Sequence, residues 1–340
     1  MKRGRGETAV AALVLVFAAL AFNAACDRRP GGIPAGETRQ ITVGVNPWPA
    51  SAALLVAHEK GYFREQGLEV ILRPYSSGHL ALEALFSGRV DFATAAESPI
   101  ARAAVDGKHF SVVATIAEID NGVLIVARKD RGVLAPDDLR GKKIGRAAGT
   151  AADFFLDLYL KTSYIHPKDV RVVDLAPENI VSALLDGDVD AVSTWAPQTT
   201  ALREALGNNG RVLHEPGLYI MSWNLVAATE LAQRDPDTIS RFLRAVVRAN
   251  RLIADRPGEA IAITAEKCGM AIPALEREWS DFEFSAHLEE SLLLSLEDEA
   301  RWMIRKRAGG AANIPRLLDR IDAKGLRAAD PDAVRLFREE

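Results

Sequence analysis

The sequence predicts a two-lobed α/β protein, each lobe a mostly parallel sheet flanked by helices. Three observations predict it. A short passage occurs twice, as Glu83-Ala84-Leu85-Phe86-Ser87-Gly88-Arg89-Val90-Asp91-Phe92-Ala93-Thr94 and as Ser182-Ala183-Leu184-Leu185-Asp186-Gly187-Asp188-Val189-Asp190-Ala191-Val192-Ser193. Each copy reads as a helix end, a glycine stop and a short apolar strand. The likeness extends upstream: Ile41 lies about 49 residues before Val90, and Ile144 about 45 before Val189, close enough to be one repeated unit. Within each unit the patterns alternate strand, helix, strand, helix, strand, which points to parallel strands with helices on both faces. One larger doubly wound sheet is the competing arrangement. Paired lobes hold ligands between them.

The first 25 residues read as an export signal. Lys2, Arg3 and Arg5 open it, interrupted by Glu7, and Ala9 to Ala21 is an apolar run shorter than a full membrane span. Asn23-Ala24-Ala25-Cys26 follows and resembles a bacterial lipobox, in which the cysteine is lipidated. Asn23 stands where that pattern favours Leu, so cleavage as an ordinary secreted protein is the alternative. Residues 26–39, rich in Pro and Gly from Arg28 to Glu37, read as a tether.

In the first lobe, Ile41 to Val45 is a strand, Ala52 to Lys60 a helix and Leu68 to Leu72 a strand. Val112 to Ile116 and Val123 to Ala127 read as strands flanking the loop Glu118-Ile119-Asp120-Asn121-Gly122. In the second lobe Lys143 to Gly145 and Val170 to Leu175 are strands, Gly149-Thr150 opens a helix, and Arg211 to Leu213 is the last strand. Trp223 to Ala228 reads as the return crossing. From Asp235 onward the pattern is helical: Ile239, Phe242, Leu243, Val246 and Val247 form one stripe, and Leu292, Leu296, Ala300 and Ile304 another on a helix from Leu288 to Arg307. These readings divide the chain into residues 40–128 with 225–340 as the first lobe and 129–224 as the second, with closure about Val126–Lys129 and Leu225–Ala228.

Composition agrees with export. Without residues 1–25 the net charge is near −6, which is unlike a nucleic-acid binder. With Cys26 lipidated, Cys268 has no disulfide partner and reads as a small buried residue. The six histidines form no metal-binding pair, so no metal and no cofactor is expected. Gly141-Lys142-Lys143 lacks the upstream glycine of a phosphate loop and leads into a strand. Gly-x-Ser-x-Gly is absent, and no set of residues spells a catalytic constellation.

Taken in order, several passages resemble the nitrate/sulfonate/taurine and thiamine-pyrimidine type substrate-binding proteins of bacterial ABC importers. They are Gly61-Tyr62-Phe63 with Gly67-Leu68, and Leu85-x-Ser87-Gly88-x-Val90-Asp91. In the second lobe they are Leu139-x-Gly141-Lys142-Lys143-Ile144-Gly145, Gly149-Thr150, and Leu185-x-Gly187-x-Val189-Asp190-Ala191 with Trp195-x-Pro197. The resemblance spans roughly Gln40 to Pro257. It implies a type II periplasmic-binding-protein fold and a monomeric, non-enzymatic solute receptor. It also implies delivery to an ABC permease and its ATPase, with the membrane reached through a lipid anchor at Cys26. Enzymes on the same fold are the alternative; the fungal thiamine-pyrimidine synthases would need a Cys-rich segment that this chain lacks.

In open sheets ligands lie outside the carboxyl ends of the strands. The loops expected there carry Asn46 and Trp48; Ser76, Ser77 and Gly78; Glu97 and Ser98; Gly149, Thr150 and Ala151; and Trp195. Asp120 and Asn121 lie in the loop before Val123, Trp223 at the start of the return crossing, and Tyr219 nearby. Helix starts offer free N–H groups to an acidic oxygen, hydroxyls add donors, and tryptophans add walls. Glu97, Asp120, Asp153 and Glu178 among few basic residues suit a zwitterion such as taurine, with the amine at Glu97 or Asp120, or a neutral nitrogen heterocycle. Capping or ion pairing is the alternative use of these acids, favoured for Asp153 by its place in a first helical turn.

Overall fold

A computed structural model describes residues 38–308 and 314–336. The export signal, the tether and Cys26 lie outside them.

The first sheet contains β1 (Arg39–Val45), β2 (Leu68–Pro74), β3 (Phe92–Ala96), β4 (Ser111–Ile119), β10 (Met221–Ala227) and β11 (Phe282–Glu283), in the order β11-β4-β10-β3-β1-β2. The second contains β5 (Val123–Arg128), β6 (Lys143–Arg146), β7 (Arg171–Asp174), β8 (Ala191–Trp195) and β9 (Gly210–Leu213), in the order β7-β6-β8-β5-β9. In the first sheet β1, β2 and β3 are parallel, in the second β6, β7 and β8, and a strand delivered from the other sheet (β10 or β5) runs antiparallel beside them. The two sheets therefore share one topology.

The repeated passage places equivalent atoms. Asp91 accepts from the Thr42 N–H at 2.8 Å through Oδ2 and donates its own N–H to the Thr42 carbonyl at 2.8 Å. Asp190 does the same with Lys143, at 2.9 and 2.8 Å. The carbonyls of Asp91 and Asp190 accept from Ala228 and Arg128, the residues at the ends of β10 and β5. Gly88 and Gly187 adopt φ of +68° and +82°, a left-handed geometry that lets each helix stop and turn into its strand.

The chain passes between sheets at residues 120–122 and returns at 214–220, not at 126–129 and 225–228. Val123–Arg128 pairs with β8 and β9, so it belongs to the second sheet; Met221–Ala227 pairs with β3 and β4 inside the first. Both runs are buried on both faces, and an apolar run carries no mark of which sheet it joins.

Helices cover the sheets. Those used below are α1 (Ala52–Glu59), α2 (Gly78–Phe86), α3 (Glu97–Val105), α4 (Ala151–Thr162), α5 (Ile180–Asp186), α6 (Gln198–Leu206), α7 (Pro236–Asp255), α8 (Pro257–Cys268), α9 (Ile272–Glu278) and α10 (Glu290–Ala308). On α7, Ile239, Phe242, Leu243, Val246 and Val247 are buried, and Phe242 stacks between Phe63 and Phe92 with centroids 4.6 and 4.4 Å away. On α10, Leu292, Leu296, Ala300 and Ile304 are buried as their spacing predicts, and the helix packs on α3. A separate core of Ile180, Leu184, Val189, Val192 and Leu202 fills the second lobe around α5 and α6. Among the described residues no helix is long and apolar enough to cross a membrane.

Candidate functional site

The carboxyl ends of β1, β2, β3, β6 and β8 carry the loops expected to meet a ligand, but the structure uses their side chains unequally. Trp48 is half-buried, with its ring edge-on to Trp223 at 5.3 Å and to Phe282 at 5.4 Å. Trp195 ends β8 opposite Val123, the first residue after the crossing, and packs against two clusters of buried residues while remaining partly exposed. Asn46 is half-buried; its N–H donates to Thr94 Oγ1 at 3.2 Å and its carbonyl accepts from Ser51 Oγ at 2.9 Å. Ser76 is exposed, and Ser77 caps α2, its Oγ accepting from the Leu80 N–H at 3.3 Å.

Gly78 has a packing cause: a Cβ there would lie 2.8 Å from the Ala95 Cα, so the glycine lets α2 sit against β3. Trp223 is 6% exposed and its indole N–H donates to Ser51 Oγ at 3.0 Å, so it is a core residue rather than a cleft wall.

The acids expected to receive an amine are engaged by the protein itself. Glu97 is 0% exposed. Its Oε1 accepts from the Tyr219 hydroxyl, and its Oε2 accepts from Ser222 N–H and Oγ at 3.0 and 3.2 Å. Burial pushes its carboxyl up to about 7, against the opposing pull of the Tyr219 bond. Ser98, beside it, is also buried. Asp120 ties one crossing to the other: its carboxylate accepts from the Gly217 N–H at 3.0 Å, and its carbonyl lies 3.1 Å from His214 Nε2. Asp153, 2% exposed in the first turn of α4, accepts from the Gly149 N–H at 2.8 Å and pairs with Arg146 and Lys306 at 2.7 and 2.8 Å. It is the helix-start acid that its dipole position favours. Glu178 alone of the four is exposed, and among the described residues it forms no ion pair.

Gly149, Thr150 and Ala151 are partly exposed. Thr150 Oγ1 donates to the Ala147 carbonyl at 2.7 Å, holding the turn. Sequence reasoning did not single out Arg102. The structure brings its Nη2 from α3 in the first lobe to 2.6 Å from the Gly149 carbonyl in the second. A guanidinium therefore stands at the turn opening α4, where an anion was expected. Asn121 lies apart from these residues, in a groove of about 510 Å³ where Thr200, Arg203 and Glu204 of α6 face Arg277 and Glu278 of α9. Thr200 Oγ1 donates to Glu278 Oε1 across that groove at 3.4 Å. Trp302 and Lys306 of α10 reach Asp157 of α4 at 2.8 and 3.0 Å, so α10 also spans the lobes.

Glu299 was missed, although its signal was legible: it interrupts the apolar stripe of Leu292, Leu296 and Met303. Among the described residues no group of three or more His, Cys, Asp or Glu side chains is placed to hold a metal ion.

Comparison with known proteins agrees with this architecture. A family model described as NMT1/THI5 like matches residues 48–260. A protein of Brucella abortus (strain 2308) named as a binding protein is 26% identical over 223 residues, 62% of this chain; the chain spans 66% of that relative's length. The taurine-binding periplasmic protein of Escherichia coli (strain K12) is 27% identical over 208 residues, 59% of this chain and 63% of its own. The alkanesulfonate-binding protein SsuA of Xanthomonas axonopodis pv. citri, bound to MOPS, superposes with a TM-score of 0.70 at 20% identity, over 85% of this chain and 100% of that one. That likeness establishes the two-lobed periplasmic-binding-protein fold. Enzymes share the sequence likeness: the 4-amino-5-hydroxymethyl-2-methylpyrimidine phosphate synthase THI13 of Saccharomyces cerevisiae is 26% identical over 244 residues, 66% of this chain and 70% of its own.

Proposed function

The chain belongs to the NMT1/THI5-like family, and from that premise we propose that it is an exported solute-binding protein of an ABC importer. It holds a small organic anion or zwitterion of the sulfonate class between its lobes and delivers it to a membrane permease. The observation that carries the substrate class is the charge at the α4 turn. Arg102 reaches Gly149 there, while Glu97, Asp120 and Asp153 are all engaged within the protein. An acidic head group meets a guanidinium and a helix start; an ammonium meets few free carboxylates. Trp48 and Trp195, both partly exposed, supply walls for the apolar part of the solute, and Asn46, Ser76, Ser77 and Thr150 supply polar groups from the loops at the strand ends. The taurine-binding and alkanesulfonate-binding relatives support the same class.

A thermal-shift panel of taurine, alkylsulfonates, nitrate and aminopyrimidines on the chain from Asp27 onward tests the proposal. A solute at about 100 times its dissociation constant adds about 2.7 kcal/mol. Sulfonates are expected to shift the transition, and Trp195→Ala to weaken that shift with the fold intact. A response to aminopyrimidines alone would assign the chain to the heterocycle-binding branch that the yeast synthase represents. Export and anchoring are tested by Cys26→Ser, which is expected to release the protein from membranes.

A further inference from the structure

Two carboxyls, Glu97 and Glu299, are 0% exposed, and both meet one phenol. The Tyr219 hydroxyl donates to Glu97 Oε1 and lies 3.2 Å from Glu299 Oε1. Tyr219 belongs to the return connection at 214–220. Its ring packs against Phe154 and Phe155 of α4 in the second lobe, with centroids 5.8 and 6.1 Å away. Its hydroxyl is held by α3 and α10 of the first. The residue is thus a pin between lobes, set at a crossing.

Charge balance at this pin is unusual. Glu97 is equipped to be an anion, with three donors on its two oxygens. Glu299 is less so: its Oε2 has no partner at hydrogen-bond geometry, and the buried Ser98 hydroxyl beside it offsets only part of the cost of burial. The charge of Glu97 repels Glu299. Nearby cations are directed elsewhere. On α3, Arg102 is bonded to the Gly149 carbonyl; on α10, Arg301 pairs with Glu297 and Asp298, and Lys306 with Asp153 and Asp157 of α4; Arg146 pairs with Asp153. In the return connection His214 faces Asp120. Two buried carboxylates with no cation between them cannot both ionise cheaply.

We propose that Glu97 and Glu299 hold one proton between them through Tyr219, and that this proton locks the pin that joins the lobes. In the locked state neutral Glu299 donates its O–H to the Tyr219 oxygen, and Tyr219 donates onward to the Glu97 carboxylate. Loss of the proton to solvent leaves two carboxylates and one phenol hydrogen, and the pocket relaxes by letting water in and Tyr219 out. Burial raises the Glu97 and Glu299 carboxyls and the Tyr219 phenol above their ordinary values. Both carboxyls are raised relative to the unfolded chain. The protonated pin is therefore complete at acid pH and is lost as pH rises through neutrality and above. The proposal rests on the two lobes and their crossing, not on the identity of the solute.

Ligand-free protein provides the test. Infrared spectra are expected to contain a protonated carboxylic acid band at about pH 6 that fades at about pH 9 and is weakened in Glu299→Gln. Hydrogen exchange at residues 214–222, corrected for intrinsic base catalysis, is expected to rise about tenfold across that range in the wild type. It should stay flat in Glu299→Gln, where a neutral amide replaces the acid. Tyr219→Phe keeps the ring packing, removes the bridge, and is expected to exchange at the high rate at every pH. Absence of the acid band, or the same pH response in both variants as in the wild type, overturns the proposal whatever the solute panel finds.

Discussion

Gly149→Ala tests the contact that links the lobes at the candidate site. Gly149 has φ of +67°, a region where a side chain costs an L-residue about 1 kcal/mol. The added Cβ would also fall 2.1 Å from Arg102 Nη2, too close for both to remain. The guanidinium is the far end of a flexible side chain and can swing away, but it then gives up its 2.6 Å bond to the Gly149 carbonyl. A hydrogen bond from a charged donor contributes about 1.5–3 kcal/mol, and Arg102 is partly exposed, which places the loss near about 1.5. Gly149→Ala is thus expected to cost about 2.5 kcal/mol, and Arg102→Ala about 1.5. In the Arg102→Ala background, Gly149→Ala should cost only the conformational part, about 1 kcal/mol. Urea unfolding of the four proteins measures the cycle. A coupling near 1.5 kcal/mol is expected; additivity within about 0.5 kcal/mol would mean that Arg102 does not hold the turn, and would remove the guanidinium from the site.

Two further outcomes follow from the same geometry. Asp91→Ala and Asp190→Ala each remove the carboxylate that accepts a strand N–H, from Thr42 and Lys143, so each should cost about 1–2 kcal/mol in the same assay. A large cost for one and none for the other would deny that the two passages do equivalent work. Cys268 has its thiol pushed up to about 12 by burial, so alkylation at about pH 8 should be far slower than for a free thiol; rapid labelling of the folded chain would contradict that placement.

What was legible in the sequence was local. The strand from Ile41, the glycine stops at Gly88 and Gly187, and the stripes of α7 and α10 are encoded within a few residues of themselves, and their positions follow from that code. Sheet membership is not local. Val123–Arg128 is apolar along its length and would be buried in either sheet; only its pairing with β8, some 70 residues later, decides. The crossings were therefore misplaced by several residues, although the order of the strands from β1 to β10 holds; β11, at Phe282–Glu283, falls in a stretch that reads as helical.

The site was less legible for a related reason. An acid in a loop after a strand looks available until its partners are known, and those partners are remote. Asp153 is neutralised by Lys306, 153 positions away, and Glu97 is bonded by Tyr219 and Ser222, 122 and 125 positions away. Arg102 reaches its turn 47 positions on. The carboxylates that favoured an amine-bearing solute are thus consumed by the fold, and the cation that favours an acidic one is supplied from the opposite lobe. Glu299 marks the limit of that difficulty. A charged residue inside an apolar helical stripe departs from the pattern around it, so its burial was visible in the sequence. Its use was not, because that depends on Tyr219 standing where the two lobes meet.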